Sequence, residues 1–441
     1  MPRLCTFATW TAVRSRGPAL AALMLLSACM AGGNPLTKPA AVVAQPKGAA
    51  AQNLAASGQS SALIADLQAR RSVLPSGGPY AQVAGAVVAA SAGAGQAELR
   101  VAQLKAKARA KNWLPSIGPS VSLTSLGGLA TSLLLDQALF DNGGRKAQRA
   151  FAAADVEVAA VDLSIAMNQR VYDGLSNYVT AERAKAQAVV SEQAAAKLAD
   201  FSVIMQKRVA GGISDLSEQR VIDQHIAEMQ ATVSADRRAA DAALAELAVI
   251  AGQPLTGLRG LDRISTANLE PLTVLRARGE GARDLAQADL QLANMKFGLA
   301  ASTGIGGDGA APALRLTGMG MLNPGAKSDM EALRQTSDVV ARQTAEAAEA
   351  ANRRSVTLEQ KRASLASRQA QGAEVLRQTA GNLELFTTQY KVGRRSLLEL
   401  VGQYDAYARL QRDQAALAYD IALTELEIAR DRGELVDGAS L

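Results

Sequence analysis

The feature that most constrains this chain is a transition written twice. In "LFDNGGRKAQRA" (139–150) a short apolar run ends in Asp-Asn-Gly-Gly, and from Gly144 the chain turns rich in Ala, Lys, Arg and Glu, with no proline until Pro254. "LNPGAK" (322–327) parallels "FDNGGR" (140–145) 182 residues later, and the same step carries Gly211 to Gly393 and Ser214 to Ser396. It also sets "GLAASTGIG" (298–306) opposite "SIGPSVSLT" (116–124), and "ALRLTGMGM" (313–321) opposite "TSLLLDQAL" (131–139). Punctuation that matches at one offset marks an internal duplication.

Each copy reads as a helix, a β-hairpin, a very long helix, a glycine turn and a returning helix. The first helix is expected over 80–112, because Pro115 disfavours helical geometry just before itself. The two segments after it, forming a hairpin over 116–139, have the length of transmembrane β-strands, roughly 9–11 residues. A helix over 144–210 would be about 100 Å long at 1.5 Å per residue. Val156, Ala160, Leu163, Met167, Val171, Leu175 and Tyr178 recur along it at three- and four-residue spacing, the seam of a helix packed on neighbours. "AGGISD" (210–215) breaks it, and the returning helix runs over 214–251 to Gly252-Gln253-Pro254. The second copy is expected as a hairpin over 298–321, a long helix over 328–391 and a returning helix over 395–432. The first copy thus spans 61–260 and the second 261–435, with a tail at 436–441.

Composition agrees with long helices. Apolar residues make up 48% of the chain but aromatics only 3%, so the apolar content is chiefly Ala, Leu and Val, which suits thin helical seams better than a thick core. Residues 1–28 read as a signal peptide: Arg3, Arg14 and Arg16 precede an apolar run too short to span a bilayer. Leu26-Ser27-Ala28-Cys29 resembles a bacterial lipoprotein signal, in which Cys29 is lipidated. An ordinary signal peptide with an incidental cysteine is the alternative. After cleavage Cys29 has no cysteine to pair with, which favours lipidation. Cleavage also lowers the formal charge from +6 to +3, and no basic patch asks for nucleic acid. Residues 29–60, rich in Gly, Pro and Ala, have the composition of a flexible linker.

Two hairpins supply four strands, and four cannot close a barrel, since about eight are the minimum. Open sheet edges are not tolerated in lipid, so copies of the chain would have to pool their strands. The fold class expected is mainly α with a small membrane β-barrel. In its doubled layout, with "WLPS" (113–116), "LFDNGGR" (139–145), "RVAGGISDL" (208–216) and "YKVGRRSLLEL" (390–400), the sequence resembles the TolC family of outer-membrane factors across residues 60–435. The resemblance implies a homotrimer whose twelve strands form one barrel in the outer membrane, continued by a periplasmic helical tunnel. It implies a periplasmic adaptor and an inner-membrane pump of the RND or ABC class as partners, exporting drugs, small molecules or proteins.

Matched residue by residue, Val209, Gly211, Gly212 and Ser214, with Val392, Gly393 and Ser396, fall where the family docks its adaptor. The alternative for the glycines is that they only turn the chain. Asp215, Tyr390 and Arg395 fall on the polar network that holds the family's periplasmic gate closed. Glu399 falls on a ring of acids at the narrowest aperture, where converging carboxylates repel one another and attract cations. The acid expected one turn later is absent: position 402 is Gly402.

No cofactor, metal site or catalytic residue is expected. The sole histidine, His225, has no second histidine and no mature cysteine to complete a common zinc site, and reads as a surface or seam residue. "GIGGDGAAP" (304–312) lacks the Gly-Lys-Ser/Thr ending of a phosphate loop and reads as a strand connection. Two rival functions stay open. A type I protein-secretion duct would share the architecture, and a lipid-anchored periplasmic adaptor or coiled-coil rod would share the helices though not the paired hairpins.

Overall fold

The computed structural model describes residues 61–123, 129–306, 309–317 and 324–440. The signal peptide, Cys29 and the linker lie outside them. The elements are α1 (Ala62–Ala69), α2 (Pro79–Ala89), α3 (Ala94–Ala110), β1 (Ser116–Leu123), β2 (Leu129–Phe140), α4 (Gly144–Ala210), α5 (Leu216–Ala251), α6 (Leu272–Met295), β3 (Gly298–Gly306), β4 (Gly309–Thr317), α7 (Ala326–Lys391) and α8 (Leu397–Asp431), with a last 3₁₀ turn at Gly438–Ser440. The chain is mainly helical with one small antiparallel sheet. No described helix is long and apolar enough to cross a membrane.

Several bounds differ from the sequence reading. The single helix expected over 80–112 is two, α2 and α3, separated at Ala90–Gly93, where Gly93 takes φ +67 before α3 begins. No proline marks that break, so an Ala-rich stretch reads through it. The last strand, expected over 313–321, is observed at Gly309–Thr317; residues 318–321 fall outside the described part. The returning helices start two residues later than 214 and 395, because Asp215 and Ser396 stand as their N-caps rather than inside them. The end of the chain packs inward: Leu435 N–H donates to Asn168 Oδ1 at 2.9 Å, and Val436, the first residue of the tail, is buried.

The long helix α4 is the spine, with α2, α3, α5, α6 and α8 packed along it. Its expected seam is realised: Leu163, Met167, Val171, Leu175 and Tyr178 are buried, joined by Tyr80, Val83 and Val87 of α2, Leu247 of α5 and Leu426 of α8. Each such fully buried large side chain contributes about 1.5–3 kcal/mol through apolar surface removed from water. A second cluster lies toward the far end of α4. There Leu198, Phe201 and Met205 meet Ile222 of α5, Phe386 of α7, and Leu397, Leu400 and Val401 of α8, so both helical hairpins end at one level. In α7 the core is thin: of its 66 residues only Ala326, Val340, Ala351, Leu358 and Leu365 are buried. The sheet runs in the order β1-β2-β3-β4, so that β2 and β3 join the two copies and β1 and β4 remain as edges.

Candidate functional site

The sheet has two unlike faces, and its register shows which residues share one. Ile117 pairs with Leu135, Leu135 with Thr303, Ala301 with Leu314 and Leu299 with Leu316. With Leu133, two residues from Leu135, these positions form a largely apolar face that also carries the polar Gln137 and Thr303. Ser116 pairs with Asp136, Asp136 with Ser302 and Ser302 with Ala313, which gives an opposite face of small and polar residues, Leu134 excepted. Ile117, Leu133, Leu314 and Leu316 are all exposed in the single chain. An antiparallel sheet with water on one side and lipid on the other needs this alternation.

At the other end, the helical hairpin tips carry the residues the sequence singled out. Their backbones match position for position. Gly211 N–H donates to Lys207 O, Gly212 N–H to Val209 O and Ile213 N–H to Arg208 O; in the second tip Val392 donates to Thr388 O, Gly393 to Tyr390 O and Arg394 to Gln389 O. The left-handed residues are Gly212 (φ +69) and Gly393 (φ +77), 181 residues apart. The sequence offset of 182 had set Gly211 against Gly393; the structure corrects this to Gly212, because α7 is one residue shorter than α4, 66 against 67. With two adjacent glycines, helix length alone decides which one turns.

The same shift places Asp215, not Ser214, opposite Ser396. Both are N-caps: the Asp215 carboxylate accepts from Ser217 N–H at 3.1 Å, and Ser396 Oγ accepts from Glu399 N–H at 3.2 Å. Glu399 completes a capping box by accepting from Ser396 N–H at 2.9 Å. Its carboxyl is held below its ordinary value, first by that backbone N–H and then by Arg395, whose guanidinium lies 3.1 Å away. Arg395 also donates to Gln389 Oε1 at 3.1 Å and stacks on Phe386, with 4.8 Å to the ring centre. Tip one repeats the link with donor and acceptor exchanged: Arg208, opposite Gln389, donates to Ser214 Oγ, opposite Arg395, at 3.0 Å. Arg208, Gln389 and Phe386 were missed in sequence reading. A polar pair six residues apart across each glycine is the signal that would have found them.

Of the predicted residues, Tyr390 and Val209 are half-buried against the tip cluster, whereas Gly211, Gly212, Gly393 and Val392 are exposed. Ile213, Leu216 and Val392, at 70%, 50% and 66% exposure, leave apolar side chains open to solvent there. Gly402 is exposed, and nothing stands within 4 Å of where its Cβ would be. His225 lies at the α5–α8 seam, its Nδ1 3.9 Å from the Asp405 carboxylate and 4.0 Å from that of Glu228. Among the described residues no group of three or more His, Cys, Asp or Glu side chains is placed to hold a metal.

The architecture is shared with solved outer-membrane channels. The outer membrane protein VceC of Vibrio cholerae superposes with a TM-score of 0.69 at 14% identity, covering 81% of this chain and 96% of that one. The channel OprN gives 0.68 at 14% identity over 85% and 96%, and the Campylobacter jejuni channel CmeC 0.66 at 10% over 81% and 86%. The fold is that of the TolC family of outer-membrane factors. No family model and no curated protein matches the sequence itself. At these identities the likeness is one of fold, carried by the layout of hairpins, long helices and glycine turns.

Proposed function

We propose that this chain is one subunit of a homotrimeric outer-membrane channel-tunnel, through which an inner-membrane pump and a periplasmic adaptor export small molecules. The observation that carries the reading is the sheet: four strands, one apolar face, one small and polar face, and two open edges at β1 and β4. An edge of unpaired backbone groups is untenable in lipid, each such group costing several kcal/mol, and three copies supply a closed barrel. The thin packing of α7 supports the same conclusion, since a helix of that length with so little buried surface gains its remaining partners from neighbouring copies.

The tips are the adaptor-docking and gating ends in this reading. Val209, Gly211, Gly212 and Ser214, with Val392, Gly393 and Ser396, form the docking surface, to which Ile213 and Leu216 add exposed apolar area. Asp215, Tyr390, Arg395 and Glu399 form the gate. Within one chain Arg395 and Glu399 bind each other, so closure between chains shares a pair that already exists. Cys29 is the lipid anchor.

The test is barrel formation and conductance. Protein extracted from outer membranes is expected to migrate anomalously until heated and to form ion-conducting pores in planar bilayers, with Arg395→Ala raising single-channel conductance. Absence of both the gel shift and the pores rejects the channel; conductance unchanged by Arg395→Ala and by Asp215→Asn rejects the gate.

A further inference from the structure

Where the sheet joins the helices, three exposed aromatic rings flank helix ends that carry five cations with no ion pair among the described residues. Trp113 precedes β1, Phe140 ends β2 and Phe297 precedes β3, at 61%, 60% and 46% exposure. In a chain with 3% aromatics this is a concentration at one level. Phe140 pairs with Leu299, which puts it on the apolar face of the sheet. Tryptophan and other aromatic side chains set at such a boundary place an apolar body against acyl chains and a polar edge toward water.

Next to these rings stand Lys107 and Lys111 at the end of α3, Arg145 and Lys146 in the first turn of α4, and Lys296 capping α6. The four lysines are exposed, and no ion pair among the described residues involves any of the five. Elsewhere along the helices some surface arginines are matched with acids, as in Arg237–Glu192, Arg278–Glu270 and Arg377–Glu374, while others such as Arg220, Arg238 and Arg342 make no ion pair among the described residues. The acid nearest in sequence, Asp141, is already engaged: it accepts from Arg145 N–H at 2.6 Å and Gly143 N–H at 3.2 Å, capping α4. The Arg145 guanidinium donates to a neutral acceptor, Trp113 O, at 3.3 Å. Arg145 and Lys296 also line one cleft of about 220 Å³, together with Asp141, Gln148 and Asn294.

We propose that this collar binds the phosphate headgroups of anionic phospholipids in the leaflet that faces the helices. The proposal rests on the membrane reading of the sheet. Given that reading, the lysines stand on the helix ends that adjoin the strands, from which long side chains reach a headgroup layer by lying along apolar surface. Unpaired cations beside a bilayer favour acidic lipids, an attraction that falls off within a Debye length.

The full-length protein would be reconstituted in phosphatidylcholine vesicles containing spin-labelled phosphatidylglycerol or spin-labelled phosphatidylcholine, and the motionally restricted lipid fraction measured by electron paramagnetic resonance. Phosphatidylglycerol is expected to associate roughly threefold more than phosphatidylcholine. The preference should fall to about one in Lys107→Gln/Lys111→Gln/Lys146→Gln/Lys296→Gln, whose folding is checked by its heat-dependent gel shift. A restricted shell without preference in the wild type, or a preference the quadruple variant keeps, overturns the collar alone. Loss of the preference on adding inorganic phosphate, but not chloride of equal ionic strength, overturns the lipid in favour of a free-phosphate site. No restricted lipid at all overturns the membrane reading and the collar with it.

Discussion

At the tips single residues decide the geometry. Gly212 and Gly393 hold positive φ in open space, so a methyl group there meets no neighbour and its cost is backbone strain, about 1–2 kcal/mol for an L-residue in the left-handed region. Gly212→Ala and Gly393→Ala should each destabilise by that amount, whereas Gly211→Ala should be near neutral; denaturant midpoints compare the three. Glu399 sets the pH behaviour of the second tip. Its folded pKa is depressed below 4.5, so its contribution is complete above that value and is lost as pH falls through the lower folded value. Amide exchange in the first turn of α8 should therefore be insensitive to this group from pH 8 to 5 and should accelerate only in stronger acid. Glu434 behaves oppositely. Burial pushes its carboxyl up, and one of its oxygens has no partner while the other accepts from Ala267 N–H. Its folded form holds a proton more readily than the unfolded chain, so stability rises as pH falls toward the unfolded value. Glu434→Gln should raise the thermal midpoint at neutral pH and lose that advantage in acid.

Elements approach closely where side chains vanish. Gly174, mid-way along α4, faces α2 so tightly that a Cβ would stand 2.7 Å from Val87 Cγ2. Gly174→Ala should cost about 1–3 kcal/mol by overpacking, and Val87→Ala in the same chain should recover part of it, a coupling that a double-mutant cycle measures. In the sheet, the two faces predict different tolerance. Leu133→Arg on the apolar face should destabilise the lipid-embedded protein by about 2–4 kcal/mol if it lies near the bilayer centre, whereas Ser302→Arg on the other face should cost far less. Equal cost in both would refute the assignment of faces. Both hairpins were legible in the sequence because glycine and proline are local signals of broken periodicity. The α2–α3 break and the inward-packed end of the chain were not, since an alanine-rich helix can continue through either and only contacts such as Asn168 with Leu435 choose otherwise.

For the whole molecule the exposed surface of α7 is the test of assembly. Val339, Val356 and Val375 are 44–50% exposed in the single chain. If neighbouring copies cover this helix, Val339→Arg or Val375→Arg should shift sedimentation from trimer toward monomer without altering the helical content of the chain. A long helix that stays monomeric and helical with its valines in water would contradict the trimer.

The sequence alone determined the duplication, the alternation of hairpin and long helix, and the positions of the tips, because these depend on local backbone preferences that repeat at a nearly fixed spacing. The tertiary structure decided what spacing could not. It set the offset of 181 at the tips, since one residue of helix length selects between neighbouring glycines. It exchanged the roles of Arg208 with Ser214 and Gln389 with Arg395 at matching positions, and it gathered Trp113, Arg145 and Lys296 from three separated elements at one level. Such contacts join residues far apart in the chain, and their energies exist only once the helices have packed.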